Sequence, residues 1–233
     1  MQAEDTRSSG AVGGLVGILG GTFDPIHLAH LRMAEEALDT FALDSVRFIP
    51  AGQPMHRQQP GASSTDRLAM VRLALADCEQ FELDAAEALS EQPSYTVPTL
   101  ERLRQVYGAQ RPLVLLLGAD AFLGLAGWHR WRELFDLAHI AVATRPGHVI
   151  EFTNAHTNIG TPAGELAGEF QRRHTLLPDA LSASPAGLVS HFEMTPLEVS
   201  ATAIRVALAG GRSPRFLLPD KVLDYIEAHQ LYL

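Results

Sequence analysis

The chain has 233 residues, of which 46% are hydrophobic and 19% charged, enough apolar surface to bury a substantial core in one domain, with or without an insertion. Its formal net charge of −9 argues against broad electrostatic binding of nucleic acid or an anionic membrane, because a phosphate footprint needs a clustered basic face. Any anion site must therefore be local. The single Cys78 cannot form an intramolecular disulfide and reads as a packing residue, in keeping with a reducing cytoplasm, and no stretch reaches the roughly 18 apolar residues needed to span a membrane.

In chain order, "MQAEDTRSSGAVGG" has no basic start and no sustained apolar run, so residues 1–14 are expected to be a mobile tail rather than a secretion signal. "LVGIL" (Leu15 to Leu19) predicts a short buried strand, and "HLAHLRMAEEALDTF" sets Leu28, Leu31, Ala34, Leu38 and Phe41 on one helical stripe. "SVRFIP" is the next strand, ending at Pro50. "AGQPMHRQQPGASS" is a Gly, Pro and Ser loop, and "TDRLAMVRLALADC" starts a helix with Ser64 or Thr65 as its cap. "FELDA" is a short strand; "SYTVPTLERLRQVYG" is a helix whose Pro98 fits only in the first turn and whose end is set by Gly108. "PLVLLLGAD" is a buried strand, followed by a short helix pair around Trp128 to Leu137 and by the strand of "HIAVATRPG". Residues 147–187 are the least readable part, with one helix expected near "AGELAGEFQRRH". "LVSHFEM" resumes strand character, and "SATAIRVALAGG" and "PDKVLDYIEAHQ" make two closing helices. Strands and helices alternating in this way predict one α/β domain over residues 15–233, a Rossmann-like parallel sheet with helices on both faces. Such a sheet binds ligands at the carboxyl ends of its strands, where the strand order reverses.

"GILGGTFDPIHLAH" lies at one such end. Gly20 and Gly21 remove side chains where the chain leaves the first strand, so that backbone can approach a bulky anion and adopt dihedrals closed to other residues. Asp24-Pro25 favours a turn, after which the helix that begins near His27 to Leu28 points its N–H groups back at the same spot. His27 and His30, three apart, share a helical face toward it, and together these features form a phosphate cradle. The pattern is neither the three spaced glycines of a dinucleotide fold nor the Lys-Ser/Thr ending of a P-loop. Taken alone, two histidines at this spacing are more commonly a surface or capping pair, and zinc lacks a third ligand of suitable spacing nearby. An N-capping Ser200 followed by Thr202 and Arg205 on one helical face would by itself pass for an ordinary cap and a surface arginine.

"GGTFDPIHLAH" resembles the signature of the nucleotidyltransferase superfamily that carries a His-x-Gly-His motif, and "VSATAIR" (Val199 to Arg205) resembles its second motif, Ser-x-Thr-x-x-Arg. Two motifs in the right order are far more specific than either alone. "IPAGQPMHR", "PSYTVPTL", "LGAD", "GWHRWREL" and "ATRPG" further resemble stretches of the bacterial nicotinate-nucleotide adenylyltransferase family, from Gly17 to the C-terminus except 147–187. Ala29 stands where the superfamily has Gly, which narrows the room for a triphosphate, and Met55 where the family has Pro.

The resemblance implies a nucleotidyltransferase-type fold and transfer of the adenylyl group of ATP to nicotinate mononucleotide, giving nicotinate adenine dinucleotide and pyrophosphate. Because the attacking phosphate is already an anion, no general base is needed; the protein positions two polyanions and stabilises charge on the leaving group. On that basis His27 and His30 are the catalytic candidates, as hydrogen-bond donors with or without positive charge. Gly20, Gly21, Thr22, Phe23, Ser200, Thr202 and Arg205 join them around ATP, which brings Mg²⁺ with it, since no carboxylate cluster would hold the ion alone. His56, Arg57, Tyr95, Thr96, Asp120, Trp128, His129 and Arg145 are implied on the mononucleotide side. Trp128 would stack on the pyridine ring, and backbone amides near Thr96 and His129 would receive its carboxylate, while Trp131 stays with the core. A nicotinamide-mononucleotide or dual-specificity enzyme, a phosphopantetheine adenylyltransferase, and a nucleotide-binding regulatory module are the alternatives; "PSYTVPTL" with "GWHRW" speaks against another substrate, and intact His27, His30 and Arg205 against a module without turnover. The expected setting is cytoplasmic, without nucleic-acid or membrane partners and compatible with a homo-oligomer.

Overall fold

The structure, a computed structural model, describes residues 13–54, 60–144 and 164–233. Of the sequence-predicted site residues, His56, Arg57 and Arg145 lie outside them, as do Met55 and most of the N-terminal tail.

β1 (Val16–Gly21) leads into α1 (Leu28–Phe41), then β2 (Ser45–Pro50), β3 (Gln53–Pro54), α2 (Ser64–Leu75), β4 (Phe81–Leu83), β5 (Pro93–Ser94) and α3 (Thr96–Tyr107). β6 (Leu113–Gly118) is followed by α4 (Ala119–Leu123), two 3₁₀ turns, α5 (Leu134–Leu137), β7 (His139–Thr144), α6 (Glu165–Arg173), a 3₁₀ segment at Pro178–Ala183, β8 (Val189–Glu193), α7 (Ala201–Ala209) and α8 (Asp220–Ala228). Six strands form one sheet in the order β4-β2-β1-β6-β7-β8, and every pairing in it is parallel.

The period of two along the strands divides the core. Leu19, Val114, Leu116, Ala141 and Ala143 face a layer containing Ala34, Leu38, Met70, Ile204 and Leu223 of α1, α2, α7 and α8. Their neighbours Ile18, Leu115, Leu117, Ile140 and Val142 face the other layer, with Leu100 of α3, Phe122 of α4, Phe135 of α5 and Phe170 of α6. Helices therefore cover both faces, as the alternating pattern predicts. From β1 the chain builds outward through β2 to β4, then returns to β6 on the opposite side of β1. The carboxyl ends of β1 and β6 consequently part around a crevice, which is where such sheets take ligands.

Local departures are small. The cap of α2 is Ser63, whose Oγ accepts from the Asp66 amide, rather than Ser64 or Thr65. Ser94 and Tyr95, read as the first helical residues, precede α3: Ser94 ends β5, and Tyr95 is the cap. β3 and β5 pair as a two-residue ladder of their own. Pro98 does fall in the first turn of α3, and Gly108 closes that helix at φ 81°. Cys78 lies three residues past the end of α2, half-buried against the core, and burial raises its thiol pKa. Among the described residues, no helix is long and apolar enough to cross a membrane.

Candidate active site

The corner between β1 and α1 begins with two glycines that serve different ends. A Cβ on Gly20 would meet nothing within 4 Å, so Gly20 faces open space; one on Gly21 would come within 2.9 Å of the Phe23 ring. Neither has a positive φ, so space, not a special dihedral, is what they supply, contrary to the sequence expectation. The left-handed conformation falls instead on Phe23, at φ 48°. Its ring is buried, edge-on to the His30 ring at 5.0 Å, and so supports that imidazole from beneath.

His27 occupies the N-cap position of α1, and His30 lies one turn into it. Their rings stack with centroids 3.8 Å apart. The His27 backbone N–H donates to His30 Nδ1 at 3.3 Å, which leaves the proton of a neutral His30 on Nε2. His27 is 5% exposed, its Nδ1 has no partner among the described residues, and burial lowers its pKa from 6.5 to about 4. It is therefore neutral at physiological pH in the free protein, a donor without charge. The first turn of α1 offers less than the sequence suggests: Leu28 N–H is taken by Leu217 O at 3.0 Å and His30 N–H by His27 O, leaving the Ala29 amide without a partner among the described residues.

The N-terminus of α7 meets this corner. Ser200 Oγ caps it by accepting from Ala203 N–H, and the Ala201 and Thr202 amides have no partner among the described residues. Arg205 donates from Nη2 to Thr202 Oγ1 at 3.3 Å and from Nη1 to the carbonyl oxygen of Asp24 at 2.7 Å. That last bond joins residues 181 positions apart and brings the two sequence motifs together. The Asp24 carboxylate, which the sequence offers only as part of a turn, accepts from Gly61 N–H, Ala62 N–H and the Tyr232 hydroxyl.

Beside the corner, between β1, β6, α3 and α4, lies a cavity of about 330 Å³. Gly20, Gly21, Thr22, Tyr95, Thr96, Asp120, Trp128 and His129 all line it. Trp128 is half-buried there, whereas Trp131 is buried edge-on to Phe135 in the core. The Tyr95 and His129 rings meet at 4.7 Å across its rim. The Thr96 and His129 amides have no partner among the described residues, and Thr96 begins a 12-residue helix with no acid in its first turn, so positive helix-end potential faces the cavity.

Two residues, one behind the cavity and one in its wall, escaped the sequence reading. Arg67 of α2, 1% exposed, donates to Thr22 O at 2.6 Å and to Gly52 O at 2.8 Å, fastening the turns after β1 and β2; burial lowers its pKa. Its signal was an arginine in register with the buried Met70, Val71 and Ala74. Glu87 accepts from Thr99 Oγ1 at 2.5 Å, and burial raises its pKa. Among the described residues, no three His, Cys, Asp or Glu side chains gather to hold a metal ion.

The profile of the family described as "Cytidylyltransferase-like" matches residues 18–207. A relative from Dechloromonas aromatica, named "Probable nicotinate-nucleotide adenylyltransferase", is 54% identical over 93% of this chain and 97% of its own length. One of the same name from Pseudomonas putida W619 is 48% identical over 93% of this chain and 94% of its own. Among solved structures, the Plasmodium falciparum nicotinic acid mononucleotide adenylyltransferase complexed with NaAD superposes with a TM-score of 0.68 at 14% identity, over 94% of this chain and 98% of that one. That likeness is one of fold.

Proposed function

From the membership of this chain in the cytidylyltransferase-like family, and within it among the nicotinate-nucleotide adenylyltransferases, we infer that it transfers the adenylyl group of ATP to nicotinate mononucleotide, yielding nicotinate adenine dinucleotide and pyrophosphate in NAD biosynthesis. An oxygen of the mononucleotide phosphate attacks Pα of ATP, the bond from Pα to the bridging oxygen breaks, and its electron pair leaves with pyrophosphate. No proton has to be removed from the nucleophile, so the chain's residues act by position and by donated hydrogen bonds.

The observation that best supports this assignment of parts is the 2.7 Å bond from Arg205 to Asp24 O, which sets the α7 N-terminus against the two histidines. ATP would lie along Gly20, Gly21 and Thr22, its β- and γ-phosphates taken by the Ala201 and Thr202 amides and Arg205, with His27 and His30 donating to the α-phosphate and leaving oxygens. ATP enters as its Mg²⁺ complex, so the ion belongs to the substrate. The mononucleotide would fill the 330 Å³ cavity, its pyridine ring on Trp128, its carboxylate on the Thr96 and His129 amides, with Tyr95 and Asp120 as flanking contacts. His56, Arg57 and Arg145 are assigned to the mononucleotide on resemblance alone. The lone, half-buried thiol suits a cytoplasmic enzyme.

The test is pyrophosphate release from MgATP with nicotinate or nicotinamide mononucleotide under identical conditions. The amide would turn one acceptor into a donor facing a backbone N–H, forfeiting a hydrogen bond to a charged group of about 1.5–3 kcal/mol and leaving two donors opposed. We expect kcat/KM for the acid to be at least about a hundredfold higher. Comparable constants would replace this pocket with a dual-specificity one.

A further inference from the structure

Asp24 stands three residues before His27, is 6% exposed, and has its carboxylate shared among three donors from two distant parts of the chain. Oδ2 accepts from Gly61 N–H at 2.7 Å; Oδ1 accepts from Ala62 N–H at 3.0 Å and from the Tyr232 hydroxyl at 2.8 Å. Arg205 Nη1 is 3.5 Å from Oδ2, yet it spends its short bond on the Asp24 main-chain oxygen instead. The Tyr232 ring is closely seated: a Cβ added to Gly61 would come within 3.1 Å of it and within 3.4 Å of Arg205 Cδ. The chain reaches this place from α8 by way of Gln230 and Tyr232, both in the left-handed region at φ 53° and 65°, an arrangement that non-glycine residues keep only where contacts hold them.

We propose that Tyr232, the penultimate residue, is a positioning residue for the triphosphate site: its hydroxyl satisfies the Asp24 carboxylate and so keeps Arg205 directed at phosphate. The proposal rests on the assignment of Arg205 to the β- and γ-phosphates. Without the phenol, the buried carboxylate keeps only the two amide donors, and, among the described residues, the cationic side chain in ion-pair range of it is Arg205, 3.5 Å from Oδ2. A shift of about an ångström would close that ion pair to ordinary hydrogen-bonding distance. The fork would then be engaged by Asp24 and withdrawn from the α7 N-terminus. Burial and the bond to Asp24 also raise the phenol's pKa, so it remains a donor through the physiological range.

Tyr232→Phe removes the hydroxyl and keeps the ring against Gly61. We expect it to raise KM for ATP about tenfold, the effect of one misdirected charged hydrogen bond, with kcat within twofold and KM for the mononucleotide unchanged. Arg205→Ala should raise KM for ATP at least as much, and the double variant should be no worse than Arg205→Ala alone, because the tyrosine acts through the arginine. Additive effects, or a lowered melting temperature with unchanged KM for ATP, would overturn the proposal. Calorimetric ATP binding and hydrogen exchange at the Gly61 and Ala62 amides, faster in Tyr232→Phe, test it independently of turnover. Should the unmodified enzyme release no pyrophosphate from ATP and nicotinate mononucleotide, the assigned reaction fails while these two measurements still decide the role of Tyr232.

Discussion

Burial of His27 ties the corner between β1 and α1 to the pH dependence of stability. Its folded-state pKa of about 4 lies below the ordinary 6.5, so the unfolded chain takes up a proton at this residue at higher pH than the folded chain does. The contribution is fully present above pH 6.5 and is lost as pH falls from 6.5 toward 4. At 1.36 kcal/mol per pH unit, this interval amounts to about 3 kcal/mol, a sizeable part of an ordinary folding free energy of roughly 5–15 kcal/mol. His27→Asn isolates the effect, because asparagine is a good N-cap and keeps α1 started while removing the imidazole. Other histidines and the carboxylates titrate in both proteins, so the quantity to follow is the difference in unfolding free energy between wild type and variant, from urea melts monitored by tryptophan fluorescence at several values between pH 7.5 and 4. Wild type should lose about 3 kcal/mol relative to His27→Asn across that range. A difference that stays constant with pH would show that His27 does not resist protonation in the folded state, and the uncharged-donor role would go with it.

His30→Ala should lower kcat by about 10²–10³ while leaving near-ultraviolet dichroism unchanged, since a preorganised donor is removed from an intact helix; a loss under about fivefold would take His30 out of the chemistry. Arg67→Met leaves Thr22 O and Gly52 O without their donor, so we expect about 2–4 kcal/mol of destabilisation, a fall in melting temperature of roughly 5–10 °C by calorimetry, and a higher KM for the mononucleotide. An unshifted melting temperature would mean that those carbonyls find other partners.

The sheet was legible because its signals are local. A short run such as "PLVLLLG", bounded by Pro and Gly, has the length and the two-sided apolar character of an interior parallel strand, and the stripe from Ala34 to Phe41 gives α1 its inward face. β3 and β5 were not legible: two residues carry no period, and they pair across a long stretch of chain, beside a Gly52 N–H that donates to Ser94 Oγ 42 residues away. The protonation state of His27 was equally out of reach, because desolvation comes from what folds over the ring rather than from its neighbours in sequence.

The candidate site divides along the same line. Groups proposed to present a donor to an anion leave a spacing behind: His27 with His30, Ser200 with Thr202 and Arg205. Groups that hold those donors in place leave little. Arg67 serves two carbonyl oxygens, which any residue type can supply, and Tyr232 reaches a carboxylate 208 positions earlier in the chain. Asp24 belongs to the second kind, although it lies inside the first motif. In the sequence it is one letter of a turn next to proline; in the fold its main-chain oxygen receives the arginine of the second motif, while its side chain binds the start of α2 and the end of the chain. The two motifs lie at opposite ends of the sequence and meet because the Asp24 main-chain oxygen takes Arg205 Nη1, while its buried carboxylate draws on donors from outside its own turn. Those donors come from the Gly61 loop and from Tyr232, so Asp24 gathers the approach to α2, α7 and the C-terminal segment beside His27.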